Sequence, residues 1–158
     1  MASSKVAGFT LIELMITVVI IGILTAIAYP SYLKFMVQSN RTDGQIPLTK
    51  LAAAQEKFYS ECGHYAKVIV TPGTAQACGT AANSYNDDKL PFSASTEKGL
   101  YTISLVTATV ACPSNSCYTL QALPDATKLQ KNDGTLTIDS LGNRLRTVGS
   151  TVYKWSDK

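Results

Sequence analysis

One carboxylate sits inside the most apolar stretch of this sequence. Residues 9–29 are interrupted only by Thr10, Glu13, Thr17 and Thr25, and at about 1.5 Å per residue they make a helix of roughly 32 Å, enough to cross a bilayer core. Holding a carboxylate near the start of such a helix costs on the order of 2.5 kcal/mol or more, so Glu13 needs a cation. The residues ahead of the helix are polar and carry one cation, Lys5, which places the N-terminus in the cytoplasm and the bulk of the chain beyond the inner membrane. A secretory signal would have its small-residue cleavage site after the apolar core; here the small junction residue, Gly8, precedes it. A cut after Gly8 keeps the helix and frees an α-amine on Phe9, four residues from Glu13. The same amine on a neighbouring copy could pair with Glu13 in a helical bundle.

Other residues with chemical potential are fewer. Four cysteines in an oxidising compartment allow three disulfide pairings. Cys112 and Cys117 enclose four residues, a spacing suited to a tight loop joining two strands, and Cys62 with Cys78 would then clip a loop onto a helix end. That pairing is preferred to a four-thiolate zinc site, because no CxxC knuckle is present and the spacings are irregular; no metal and no cofactor is expected. His64, the single histidine, reads as a helix-end cap or surface residue. No second base, carboxylate pair or phosphate-cradling Gly-rich loop completes an active site, so the chain reads as a non-enzyme. Asp87-Asp88, lacking further oxygen ligands in register, reads as a polar loop rather than a calcium site. Residues 128–158 hold six cations and three anions and so carry the whole net charge of +3. Arg144, Arg146, Lys154 and Trp155 there form a weak candidate nucleic-acid contact, since cations and aromatic rings together hold strands. The bland alternative is a solvated face.

The elements that must position these groups follow from pattern. A chain of 158 residues with 16% charged residues, against about 25% in an average domain, allows one domain with an appended segment and excludes a large multidomain enzyme. Pro30 predicts a kink or locally melted stretch over residues 26–30. The helix then resumes, with Leu48, Leu51, Ala52, Gln55, Phe58, Tyr59 and Cys62 on one face, and stops at Gly63. Gly44-Gln-Ile-Pro47 predicts a bend, with a full break between Asp43 and Leu48 as the alternative. Residues 68–95 read as an irregular loop. Residues 100–106, 117–123 and 134–139 alternate and are rich in β-formers, giving three antiparallel strands, with a weaker fourth at 144–148 or 152–155. One long helix followed by such a sheet is an α+β arrangement.

The run Gly8-Phe-Thr-Leu-Ile-Glu13, continued by an apolar helix to Pro30, resembles the start of the type IV prepilin family. Gln55-Glu-Lys-Phe-Tyr59, Gly63-His-Tyr65, Tyr118-Thr-Leu-Gln-Ala122 and Gly134-Thr-Leu-Thr-Ile-Asp139 are similar to the PilE-like minor pilins. The resemblance implies a pilin fold, a leader peptide over residues 1–8, a transmembrane and assembly helix over 9–29, and a head over 30–158. Within the head, helix is expected over 31–62, a loop over 66–99 and the sheet over 100–158. It also implies prepilin-peptidase cleavage between Gly8 and Phe9, N-methylation of Phe9, and subunit docking through Glu13; methylation keeps the amine's charge. The implied partners are other pilin subunits, the peptidase and the inner-membrane assembly machinery. The implied location is the inner membrane before assembly and the extracellular pilus after it. A minor pilin is preferred to a major pilin or a type II secretion pseudopilin, and the rival of another class is a DNA-receptor pilin. Many PilE-like proteins carry cysteines where this chain has Asp133 and Trp155, so their disulfide map does not transfer.

Overall fold

The computed structural model describes residues 8–78, 88–106 and 116–157. By its internal contacts the chain divides into a unit ending at Met36 and a second beginning at Val37. The helix α1 (Leu11–Asn40), which begins in the first and ends in the second, has no buried residue. Its helical backbone runs unbroken through Pro30, so residues 26–30 are not melted. Proline removes a single bond, the one to the Ala26 carbonyl, and the flanking turns keep theirs.

The helical path is interrupted later, at Arg41, which holds a one-residue turn between α1 and α2 (Thr42–Cys62). The alternative of a full break between Asp43 and Leu48 is absent, and the helix stays continuous as preferred: α2 runs through both Gly44 and Pro47. Gly44 has a packing reason, because a Cβ there would lie 2.8 Å from Leu136 Cδ1 and 3.1 Å from the Tyr101 ring. The helix can approach the sheet this closely only without a side chain at that position. At its far end α2 stops as expected, with Gly63 left-handed at φ 76° and its N–H donating to the Tyr59 carbonyl, the usual glycine helix stop.

Beyond α2, β1 (Val68–Val70) and β2 (Lys89–Pro91) form a parallel pair, so the segment expected to be irregular contains a small ladder. The main sheet is formed by β3 (Tyr101–Leu105), β4 (Thr119–Pro124), β5 (Thr135–Asp139), β6 (Arg144–Val148) and β7 (Thr151–Lys154). They lie in sequential order and every neighbouring pair is antiparallel. The α+β expectation holds, with five strands instead of three or four. Both weaker segments became strands because each supplies backbone partners to its neighbour, which the short apolar pattern at 144–154 does not reveal.

The core is one layer between α2 and one face of this sheet. Leu48, Leu51 and Phe58 from the helix meet Tyr101 and Ile103, Leu120 and Ala122, Leu136 and Ile138 from alternate strand positions. Gln55 is also fully buried there. Its side chain donates to the Ala66 carbonyl at 2.9 Å and accepts from the Ala66 N–H at 2.9 Å, so the chain leaving the helix is bonded back to it. Tyr59, expected on the buried face, is 44% exposed and instead packs its ring on Tyr65 at 4.7 Å.

Candidate functional site

Two regions hold the predicted site residues. In the first, the Thr10 hydroxyl accepts from the Glu13 N–H at 3.3 Å, capping the start of α1. The Thr17 hydroxyl donates to the Glu13 and Leu14 carbonyls and the Thr25 hydroxyl to the Ile21 carbonyl. These two polar side chains are thereby satisfied within their own helix and suit an apolar medium. Among the described residues the Glu13 carboxylate has neither a hydrogen-bond nor an ionic partner. Around it, Phe9, Leu11, Ile12, Leu14, Met15 and Ile16 are all more than half exposed. This helix is long and apolar enough to cross a membrane.

The second region is in the head, where the structure separates residues that the sequence grouped. Arg146 is buried: it donates to the Asp133 carbonyl at 3.0 Å, lies 3.8 Å from the Asp133 carboxylate and stacks over Tyr153. That removes it from the exposed nucleic-acid set. It belongs to a buried ionic cluster in which Arg41 grips Asp133 with both Nε and NH2, the shortest bond being 2.7 Å. Tyr101 donates to the same carboxylate at 2.6 Å, and Gln130 donates both to the Tyr101 hydroxyl and to the Val37 carbonyl. The Asp133 hydrogen bond raises the Arg41 pKa, and burial pushes the Tyr101 phenol up. The cluster thus ties the end of α1, the Arg41 turn and the segment just before β5 together. Sequence reading missed Arg41, Tyr101, Gln130 and Asp133 as a group because their separations, 92 residues between Arg41 and Asp133, leave no local signal.

Arg144 and Lys154, by contrast, are exposed, and Trp155 is half-buried. The Trp155 indole N–H donates to the Leu145 carbonyl at 2.9 Å and its ring lies beneath the Arg144 guanidinium at 5.7 Å. These residues wall a groove of about 500 Å³ whose other lining includes Gln45, Gly142 and Asn143. A neighbouring hollow shares Gln45, Arg144 and Trp155 with the groove and is lined also by Lys50 from α2. Asp157 accepts from the Lys154 main-chain N–H.

Cys62 is joined to Cys78 with the Cα atoms 5.6 Å apart, which fixes the segment after β1 to the end of α2. The other pairing involves Cys112, which lies outside the described residues, as does Asp87. His64 is neither a cap nor a free surface group; its Nε2 lies 2.9 Å from the Asp88 carboxylate, which is fully buried.

Comparison with known proteins agrees with this geometry. A family model described as "Type IV minor pilin ComP, DNA uptake sequence receptor" matches residues 30–137, and one for the prokaryotic N-terminal methylation motif matches residues 3–29. The chain is 52% identical over 58 residues to the type IV major pilin protein PilA of Myxococcus xanthus (strain DK1622), covering 37% of this chain and 26% of PilA. It is 37% identical over 106 residues to the fimbrial protein EcpC of Eikenella corrodens, covering 66% and 65% of the two. To the type IV major pilin protein PilE of Neisseria gonorrhoeae it is 30% identical over 103 residues, covering 65% and 58%. The chain therefore spans less than two thirds of the length of each of these relatives. An N-terminal methylation motif set on an exposed apolar helix fits an inner-membrane anchor before assembly and an extracellular pilus after it. With the helix, the five-stranded head and two family matches in agreement, the chain belongs to the type IV pilins, in the ComP minor pilin family.

Proposed function

We propose that this pilin is a minor subunit of a surface filament whose head captures DNA. Its role is structural and binding rather than enzymatic. The prepilin peptidase cuts between Gly8 and Phe9 and methylates Phe9, residues 1–8 being the leader and 9–29 the anchor. Assembly moves the helix from lipid into a bundle of pilin helices, a transfer between two apolar media that costs little, while Glu13 meets the Phe9 amine of a neighbouring subunit and sets the axial register. The observation that carries this reading is the methylation motif over residues 3–29 on a helix with no buried residue. Mass spectrometry of sheared, purified filaments tests it: a trace chain starting at methylated Phe9 is expected. An uncut chain confined to the membrane would refute the assembly role, and a dominant chain would make it the major subunit.

The DNA reading is favoured by a second observation, the groove of Arg144, Lys154 and Trp155 in a chain whose family description names a DNA uptake sequence receptor. These three residues lie beyond the matched segment, while Gln45 of α2, within it, completes the groove. Cations there would take phosphate oxygens and make binding salt-dependent. The test is a gel shift of the full chain in detergent. Arg144→Ala with Lys154→Ala should weaken duplex binding about tenfold or more at low salt and reduce the slope of affinity against salt by about 2. Undiminished binding would move the site elsewhere.

A further inference from the structure

The turn between β5 and β6 lies beside this groove and presents one apolar side chain. Leu141, at its tip, is 86% exposed, whereas no other large hydrophobic residue described from Val37 onward exceeds 57%. A lone exposed leucine is ordinary; a leucine held this firmly beside a cationic groove is not. The Asp139 carboxylate accepts from the Leu141 N–H at 3.0 Å, the Asn143 N–H at 2.9 Å and the Asn143 side-chain amide at 2.8 Å. The Gly142 N–H donates to the Asp139 carbonyl, the Asp139 N–H to the Asn143 carbonyl, and the Ser140 N–H to the Tyr118 carbonyl before β4. The backbone under Leu141 is therefore already ordered, and binding need not order it again.

We propose that Leu141 is an apolar wedge that enters between adjacent base pairs of duplex DNA whose phosphates lie on Arg144 and Lys154. This rests on the reading that the head binds DNA. Proteins that unstack a duplex insert a leucine, isoleucine or phenylalanine between base steps while cations hold the backbone on either side. Here both parts occur within four residues, from Leu141 to Arg144. Asp139 and Asn143 are committed to each other and to the turn's N–H groups, which spreads the carboxylate's charge over three donors and leaves the turn's tip apolar. The wedge reads deformability: pyrimidine–purine steps, which unstack most easily, are favoured.

The experiment uses full-length protein in detergent and a duplex carrying 2-aminopurine beside a single TA step, a base whose fluorescence rises when it is unstacked. Wild-type protein is expected to bind and raise the fluorescence several-fold. Leu141→Ala should bind with the same salt dependence but without the rise, and Leu141→Phe should restore it. Binding by the wild type without a rise, or an equal rise with Leu141→Ala, overturns the wedge while leaving the DNA reading intact. Failure of the wild type to bind any duplex overturns the DNA reading, and the wedge with it. Unchanged DNA behaviour with loss of Leu141→Ala from filaments would assign the side chain to subunit packing instead.

Discussion

Gln55 shows how a single polar side chain can hold a head together. Its amide occupies both the N–H and the carbonyl of Ala66, and all of these groups are out of water. Gln55→Leu would keep the volume but orphan two buried backbone groups, at about 1–3 kcal/mol each. A fall of at least about 2 kcal/mol in the stability of the full chain in detergent is expected, measured by urea unfolding. Tyr101 makes a second prediction, in pH. Its folded phenol titrates above the ordinary value of 10.0, first because of burial and then because of its bond to Asp133. Tyr118 is raised similarly by burial and by Glu56. A raised pKa means that the folded state holds the proton more tightly. This contribution is complete below about pH 10 and is lost as pH rises beyond it. The unfolding midpoint should therefore stay level on this account up to about pH 10 and fall above it. Tyr101→Phe should flatten part of that fall, leaving the part due to Tyr118 and to Tyr65, which burial and Glu56 also raise.

At the scale of elements, the contact between α2 and the sheet depends on Gly44. Gly44→Val places methyl groups against Leu136 and the Tyr101 ring, and Tyr101 is pinned by Asp133 and Gln130, so little can shift. Overpacking of this kind costs about 1–3 kcal/mol. The expected result is a clear drop in thermal midpoint. An unchanged midpoint would show that the helix can back away from the sheet. The disulfide between Cys62 and Cys78 acts at the opposite end of α2, closing a loop with a sequence separation of 16; by chain entropy such a closure contributes about 3 kcal/mol.

For the molecule as a whole, the decisive contrast is between a head with a closed core and a helix with none. The exposed residues of α1 are stable only in lipid or among other apolar helices. Within residues 9–29 Glu13 is the one charged side chain, and in the proposed assembly it sets where a neighbour sits. Glu13→Val should still insert in the membrane, since it removes the only charged side chain from residues 9–29. It should reach filaments about tenfold less, equivalent to about 1.4 kcal/mol, as read by subunit mass spectrometry of sheared pili. Normal incorporation would refute docking through this carboxylate.

The sequence by itself determined the apolar helix, the Gly63 stop, three of the sheet strands and the family, because each is written in local periodicity or in a short contiguous motif. It left open melting at Pro30 and a full break at Gly44-Pro47, neither of which occurs, since a propensity counts the lost backbone bond without the neighbouring turns and packing that compensate for it. It also read Arg146 with Arg144 and Lys154 as one charged patch. Only the tertiary structure separated them: Arg146 lies on Asp133 in the interior, while Arg144 and Lys154 face the groove. The ionic cluster of Arg41, Tyr101, Gln130, Asp133 and Arg146 was likewise settled by the fold. Charges that far apart in a chain acquire partners only when sheet register and helix approach bring them together, and their burial then makes the pairing obligatory.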